Sequence, residues 1–164
     1  MPPAEFSIRL QHGRSHLSEN CRGADGQYAG ITGGFAPPTP SAIYVLTRAK
    51  IQPAEFVVTS AVRPDGTASL VDALPKKILV APHSTLIDEL HSILKEIPTE
   101  SPPGSQDIYG LDTSIAWGSD DLQWCNGGPS GCGGGISNTQ ASEEDKKKFK
   151  RAVEIVNELL NQEP

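Results

Sequence analysis

Cysteine and histidine are the first residues in this chain that could do chemistry, because both side chains bind zinc in tetrahedral sites. One group is His12-x3-His16-x4-Cys21, and a second is Cys125-x6-Cys132. Neither has the Cys-x2-Cys spacing, or the histidine pair on a secure helix, that fixes two ligands in advance. The second group also borders a glycine-rich stretch, which would lose much entropy on binding. The sequence therefore predicts no metal site, and a redox-labile disulfide between Cys125 and Cys132 stays open as an alternative.

Histidines and aspartates elsewhere supply the parts of a catalytic site without its usual spacing. Asp88 lies three residues before His91, which predicts an exposed pair on the polar face of a helix. Asp112, Asp120 and Asp121 could act as paired carboxylates, although acids at strand ends more often serve in turns. The sequence lacks Gly-x-Ser-x-Gly, His-Glu-x-x-His and a glycine fingerprint leading from strand to helix. We therefore predict no catalytic residues and no cofactor.

The segment Ile31-Thr32-Gly33-Gly34-Phe35-Ala36-Pro37-Pro38-Thr39-Pro40 has the composition of a binding loop. Its adjacent glycines permit a backbone turn that side chains would block, and its prolines stiffen the chain that follows. Phe35 offers a large apolar surface, and a stiff loop loses little entropy when it docks on a partner. The alternative is an ordinary bulge with Phe35 packed into the core.

The composition limits the classes of partner. The chain has 164 residues and 17.4 kDa, which is typical of one domain. A net charge of -6 and a pI near 5.1 provide no positive field for nucleic acid. No apolar run is long enough to cross a membrane, and the first residues lack the basic start and apolar core of a signal peptide. Three cysteines are too few for a disulfide framework, so we expect a cytoplasmic protein.

Hydrophobic periodicity predicts an α+β fold: an antiparallel sheet of four or five strands with two amphipathic helices on one face. One helix should begin with Ser84 as its cap, carry an apolar stripe through Leu94 and end near Pro98. A second should be capped by Ser142 and run to Asn161. Its expected core positions are Phe149, Val153, Val156 and Leu160. The strands are expected at Phe6–Leu10, Ala42–Thr47 and Phe56–Val62, with a return over Thr67–Ala73 and a hairpin formed by Ile108–Trp117 and Leu122–Trp124.

The order of these elements resembles emfourin, a family of cytoplasmic proteins that inhibit thermolysin-like zinc metallopeptidases of the protealysin type. The resemblance covers Phe6 to Leu160. It rests on a first strand with Arg9, the tetrapeptide Gly33-Gly34-Phe35-Ala36 followed by Pro37, and the order of strands and helices that follows. It implies that the partner-binding residues are Gly33, Gly34, Phe35, Ala36, Pro37 and Arg9.

The chain departs from that family in its length. A single domain over residues 1–164 would carry loop insertions at about 12–28, 50–82 and 125–140, and surface insertions of this kind are compatible with a common fold. The leading hypothesis is a non-enzymatic intracellular inhibitor of a thermolysin-like metallopeptidase, without nucleic-acid or membrane partners. Two alternatives are a small cytosolic enzyme that acts on a small-molecule substrate and an interaction module of a larger complex. The enzyme would use Cys125 or Cys132 with a histidine, or Asp112 with Asp121.

Overall fold

The computed structural model describes residues 1–13, 40–67, 69–127 and 135–163, and it shows an antiparallel sheet with two long helices. The strands are β1 (Phe6–His12), β2 (Ala42–Arg48), β3 (Glu55–Val62), β4 (Val71–Asp72), β5 (Lys76–Leu79), β6 (Thr113–Ser119) and β7 (Gln123–Cys125). The helices are α1 (Ser84–Glu96) and α2 (Glu143–Leu160), and a 3-10 turn (Ala81–His83) precedes α1. The strand order is β4-β3-β2-β1-β6-β7, and β5 pairs with the other half of β3. The predicted α+β class is therefore confirmed.

Alternation along the strands divides the sheet into an inner and an outer face. In β1, Phe6, Ile8 and Leu10 are buried, whereas Ser7 and Arg9 between them are exposed. The same period of two recurs in β6, where the inward residues are buried and the outward residues are half-buried. Both helices contribute to the single apolar core on the inner face. The sheet thus has one packed face and one open face, as antiparallel sheets commonly do.

The sheet is wider than predicted, with seven strands instead of four or five. Residues 50–82, the second of the expected loop insertions, contain β3, β4 and β5. The expected strand at Phe56–Val62 corresponds to β3 and the expected return over Thr67–Ala73 to β4, whereas β5 has no counterpart in the prediction. Phe56 and Val58 of β3 are buried, and β5 adds Ile78 to the same core. Four residues with one buried side chain give little periodic signal, so β5 forms because β3 offers it an edge.

Helix α1 buries the predicted apolar stripe, with Ile87, Leu90 and Leu94 fully buried. The prediction that Ser84 caps this helix is wrong. The Ser84 hydroxyl donates instead to the carbonyl oxygen of the first residue of the 3-10 turn, at 3.2 Å. Because that turn leads directly into α1, the N-cap position falls on His83, whose side chain makes no capping bond.

Helix α2 begins at its predicted cap. The Ser142 hydroxyl accepts from the Asp145 amide, and the Asp145 carboxylate accepts from the Ser142 amide, which forms a capping box. Phe149 and Val156 are fully buried as expected. The other buried positions are Ala152, Ile155 and Leu159, whereas the predicted Val153 and Leu160 are only half-buried. The predicted and the observed sets are two overlapping apolar stripes on the same helix, offset by one residue. The observed stripe is the one that faces the core formed with the sheet and α1. Neither long helix of the described chain combines the length and apolar character needed to span a membrane.

The predicted hairpin of β6 and β7 is present, but β6 starts later than expected. Ile108 and Tyr109 belong to the core without belonging to a strand. They sit in a turn built around Asp107, whose carboxylate accepts from the backbone amides of Tyr109, Gly110 and Asp112. This local bonding competes with a sheet ladder and delays the strand.

Candidate functional site

The two central strands hold the ends of the segment that carries the predicted binding loop. β1 and β2 pair without interruption from Phe6 and Arg48 to His12 and Ala42. Beyond this pair, the Ser41 amide donates to the His12 carbonyl at 3.1 Å. The end of β1 and the start of β2 are therefore held side by side, at one end of the two central strands.

Gly13 shapes this point of departure. Its amide donates to the Asp112 carbonyl at 3.0 Å, and its φ of 80° lies in the left-handed region that favours glycine. A Cβ atom there would approach the Ser41 amide nitrogen to 3.2 Å. The predicted partner-binding residues of the loop are Gly33, Gly34, Phe35, Ala36 and Pro37, and they lie outside the described residues.

Arg9, the remaining predicted partner-binding residue, lies at the centre of the open face. Its neighbours across the two adjacent strands are Val45 of β2 and Ala116 of β6. Its Nη2 atom donates to Gln11 Oε1 at 3.0 Å, so the guanidinium lies along its own strand. The structure thus places Arg9 on the same central strand that leads into the loop, but on a face that no described element covers.

His91 has a different carboxylate partner from the one its sequence neighbourhood suggested. Its Nε2 atom lies 3.1 Å from Asp121 Oδ1, in the turn between β6 and β7, whereas Asp88 pairs with the N-terminal amine. Lys95 Nζ contacts the other oxygen of Asp121 at 2.6 Å, and the Ser119 hydroxyl donates to Oδ1 at 2.9 Å. The Lys95 ammonium and then the Ser119 hydroxyl hold the pKa of Asp121 well below its usual range.

This group of residues fastens the β6–β7 turn to α1. The His91 ring packs on Trp117 with ring centroids 5.3 Å apart, and the Trp117 indole N–H donates to the Ser119 hydroxyl. Because Ser119 and His91 both bond the carboxylate and not each other, the arrangement lacks the hydroxyl–imidazole contact that activates a serine. What it provides is a polar clamp between helix and hairpin.

The carboxylates proposed as an acid–base pair occupy opposite ends of one strand. Asp112 immediately precedes β6, and Asp121 follows its end. Seven residues of strand separate them by roughly 20 Å, beyond the 5 to 10 Å of paired catalytic carboxylates. Asp120 forms an ion pair with Lys50 at 3.2 Å. The structure therefore does not bring this set together.

The potential metal ligands that are described also lie apart. His12 points to the inner face, where its Nδ1 atom lies 3.2 Å from the Thr113 hydroxyl. Burial lowers the pKa of His12, although the negative charge of Asp112 raises it in part. Cys125 is exposed at the end of β7. Over residues 1–13, 40–67, 69–127 and 135–163, no three histidine, cysteine or acidic side chains gather into a metal-binding group. His16, Cys21 and Cys132 lie outside these ranges.

Two buried polar residues with no predicted role, Asn126 and Glu100, hold the start of the glycine-rich stretch at residues 127–135. Asn126 continues β7 with its side chain, accepting from the Ile115 amide at 2.7 Å and donating to the Thr113 carbonyl at 3.1 Å. Glu100 is 3% exposed and accepts from the amides of Gly104 and Gly127. In the sequence, Glu100 is an acidic residue close to prolines and a glycine, a pattern of ordinary exposed loops. It therefore gives no indication that Glu100 is buried.

Comparisons with family models, curated proteins and solved structures found no match for this chain.

Proposed function

We propose that this chain is a non-enzymatic protein that binds and inhibits a thermolysin-like zinc metallopeptidase. The observation that carries the proposal is the fixed base of the segment between His12 and Ser41, held by the two central strands of the sheet. That segment contains Gly33-Gly34-Phe35, the part of the sequence with the composition of a binding loop. The resemblance to emfourin supplies the class of target.

A loop with a rigid base suits inhibition because less conformational entropy is lost when the loop enters a cleft. The base here is stabilised by ladder hydrogen bonds on both sides, since β1 pairs with β2 and with β6 along its whole length. Phe35 would act as the anchor, because a large aromatic side chain can contribute most of the energy of a small interface. Inhibition of this type needs occlusion of the cleft and no chemistry by the inhibitor.

The open face of the sheet favours the second candidate function, an interaction module of a larger complex. In that function Arg9 and its neighbours alone would bind the partner, whereas an inhibitor would use them together with the loop. The enzyme alternative has less support, because Asp112 and Asp121 are separated by the length of β6.

The test is inhibition of peptide hydrolysis by purified thermolysin and by a protealysin-type peptidase, with the full chain added at increasing ratios. We expect stoichiometric inhibition of at least one enzyme. Phe35→Ala should weaken it about 30-fold, which corresponds to about 2 kcal/mol of binding, and should leave the Tm nearly unchanged. Ile51→Ala is the matched control, because Ile51 is 89% exposed beyond β2, at the other end of the sheet.

Absence of inhibition by the unaltered chain would contradict the proposed function. A loss of about 3 to 5 kcal/mol of stability in Phe35→Ala would instead assign this side chain to the core, because that is the cost of a large cavity. Recovery of a stoichiometric peptidase from native extract would identify the natural target.

A further inference from the structure

The outer face of the sheet is uncovered across its three central strands. The side chains of β1, β2 and β6 that point outward are exposed or half-buried, whereas their inward neighbours are largely buried. Both helices pack on the other face. The central outer face is therefore available to a partner over the described part of the chain.

One charged side chain lies at the centre of this face. Of the outward residues in β1, β2 and β6, only Arg9 carries a charge; the others are small, hydroxylated, amide or aliphatic. The facing residues, Val45 and Ala116, carry no charge. Arg9 has no ion pair with a carboxylate of the described residues. Some cations elsewhere are paired, as Lys77 is with Glu55 and Lys50 with Glu5 and Asp120, so what distinguishes Arg9 is its position at the centre of the sheet face.

The guanidinium is held in place and remains accessible. Gln11 Oε1 accepts one of its hydrogen bonds, which leaves further N–H donors of the planar fork for a carboxylate. On the β6 side its facing residue is the small Ala116, whereas the Gln123 side chain lies over Gly118, two residues further along β6. A partner's backbone can therefore come close to Arg9 over Ala116 without displacing a large side chain.

We infer that this face docks a segment of a partner protein that presents a single aspartate or glutamate side chain to Arg9. The inference rests on the proposed function, because the partner would be the inhibited peptidase. One cation on an uncharged surface complements one carboxylate, with two parallel hydrogen bonds fixing its position. A polyanion is disfavoured, because the chain as a whole carries a net charge of -6.

The first experiment titrates the 15N-labelled chain with acetyl-Thr-Val-Glu-Val-Thr-amide and follows its NMR spectrum. We expect the Arg9 side-chain N–H signal and the amides of Val45 and Ala116 to shift. The same peptide with glutamine in place of glutamate should give shifts at least fivefold smaller. Arg9→Gln should abolish them, whereas Lys150→Gln, which removes the same charge from α2, should leave them unchanged.

The second experiment measures peptidase inhibition by Arg9→Gln, which should be at least 10-fold weaker, while Lys150→Gln inhibits like the unaltered chain. Equal inhibition by Arg9→Gln would overturn the inference and leave the proposed function intact. Equal shifts with the glutamine peptide, or larger shifts with inorganic phosphate at the same concentration, would also overturn it. If the unaltered chain inhibits neither peptidase while the glutamate peptide shifts Arg9, the docking face stands and the proposed target is wrong.

Discussion

Replacing Asn126 by alanine tests whether one buried side chain secures the junction between the sheet and the glycine-rich stretch. Asn126 is 0% exposed, and its amide group continues the β6–β7 ladder after β7 ends at Cys125. The substitution removes both side-chain hydrogen bonds. It leaves the Ile115 N–H and the Thr113 carbonyl in the interior without these partners.

The expected loss follows from the two groups left behind. A buried polar group that loses its partner costs about 1 to 3 kcal/mol, and about 1.5 kcal/mol for each of the two groups gives a loss of about 3 kcal/mol. In a protein of this size each kcal/mol lowers the Tm by about 2 to 4 °C, so Asn126→Ala should lower it by about 6 to 12 °C.

Urea denaturation and thermal unfolding of Asn126→Ala measure this loss directly. Asn138→Ala is the control, because its side chain is exposed and its described contact is a backbone hydrogen bond to Ser101. It should change stability by less than about 0.5 kcal/mol. A loss below about 1 kcal/mol for Asn126→Ala would refute the reasoning, since the ladder would then not depend on this side chain.

Two further predictions concern the pH dependence of stability at Asp121 and the role of the two cysteines Cys125 and Cys132. Lys95 and Ser119 depress the pKa of Asp121 below its usual value of 3.8, so its stabilising contribution should be complete above about pH 5 and lost as the pH falls toward the depressed pKa. The difference in unfolding free energy between the unaltered chain and Asp121→Asn should therefore narrow below about pH 4; a difference independent of pH would contradict the assignment. Replacing Cys125 and Cys132 together by serine should change stability by less than about 1 kcal/mol in denaturation, and stoichiometric zinc or a larger loss would overturn the prediction of no metal site.

Elements with strong local signals could be predicted from the sequence. The Ser142 cap of α2 is one, because the capping box lies within four consecutive residues. The alternation around Ile8 is another, because a central strand with one wet face repeats every two residues. In both cases the deciding interactions are close in sequence.

Interactions between distant segments could not be predicted in this way. His91 and Asp121 lie 30 residues apart, and only the packing of the hairpin on α1 joins them. Asn126 resembles an ordinary turn residue until the end of β7 is known. Arg9 could be placed on a strand, but its central position on an uncovered face depends on the strand order.

The positions of the two tryptophans determine which changes in the molecule its intrinsic fluorescence can detect. Trp117 and Trp124 face each other across β6 and β7 on the inner face, where they are 2% and 7% exposed. Their indole N–H groups bond Ser119 and the carbonyl of Ile97. Unfolding would move both rings into water and shift their fluorescence, whereas a ligand on the outer face would leave their surroundings unchanged. Intrinsic fluorescence therefore reports folding and is silent on docking at Arg9, and a tryptophan at Val45 would give the outer face a signal of its own.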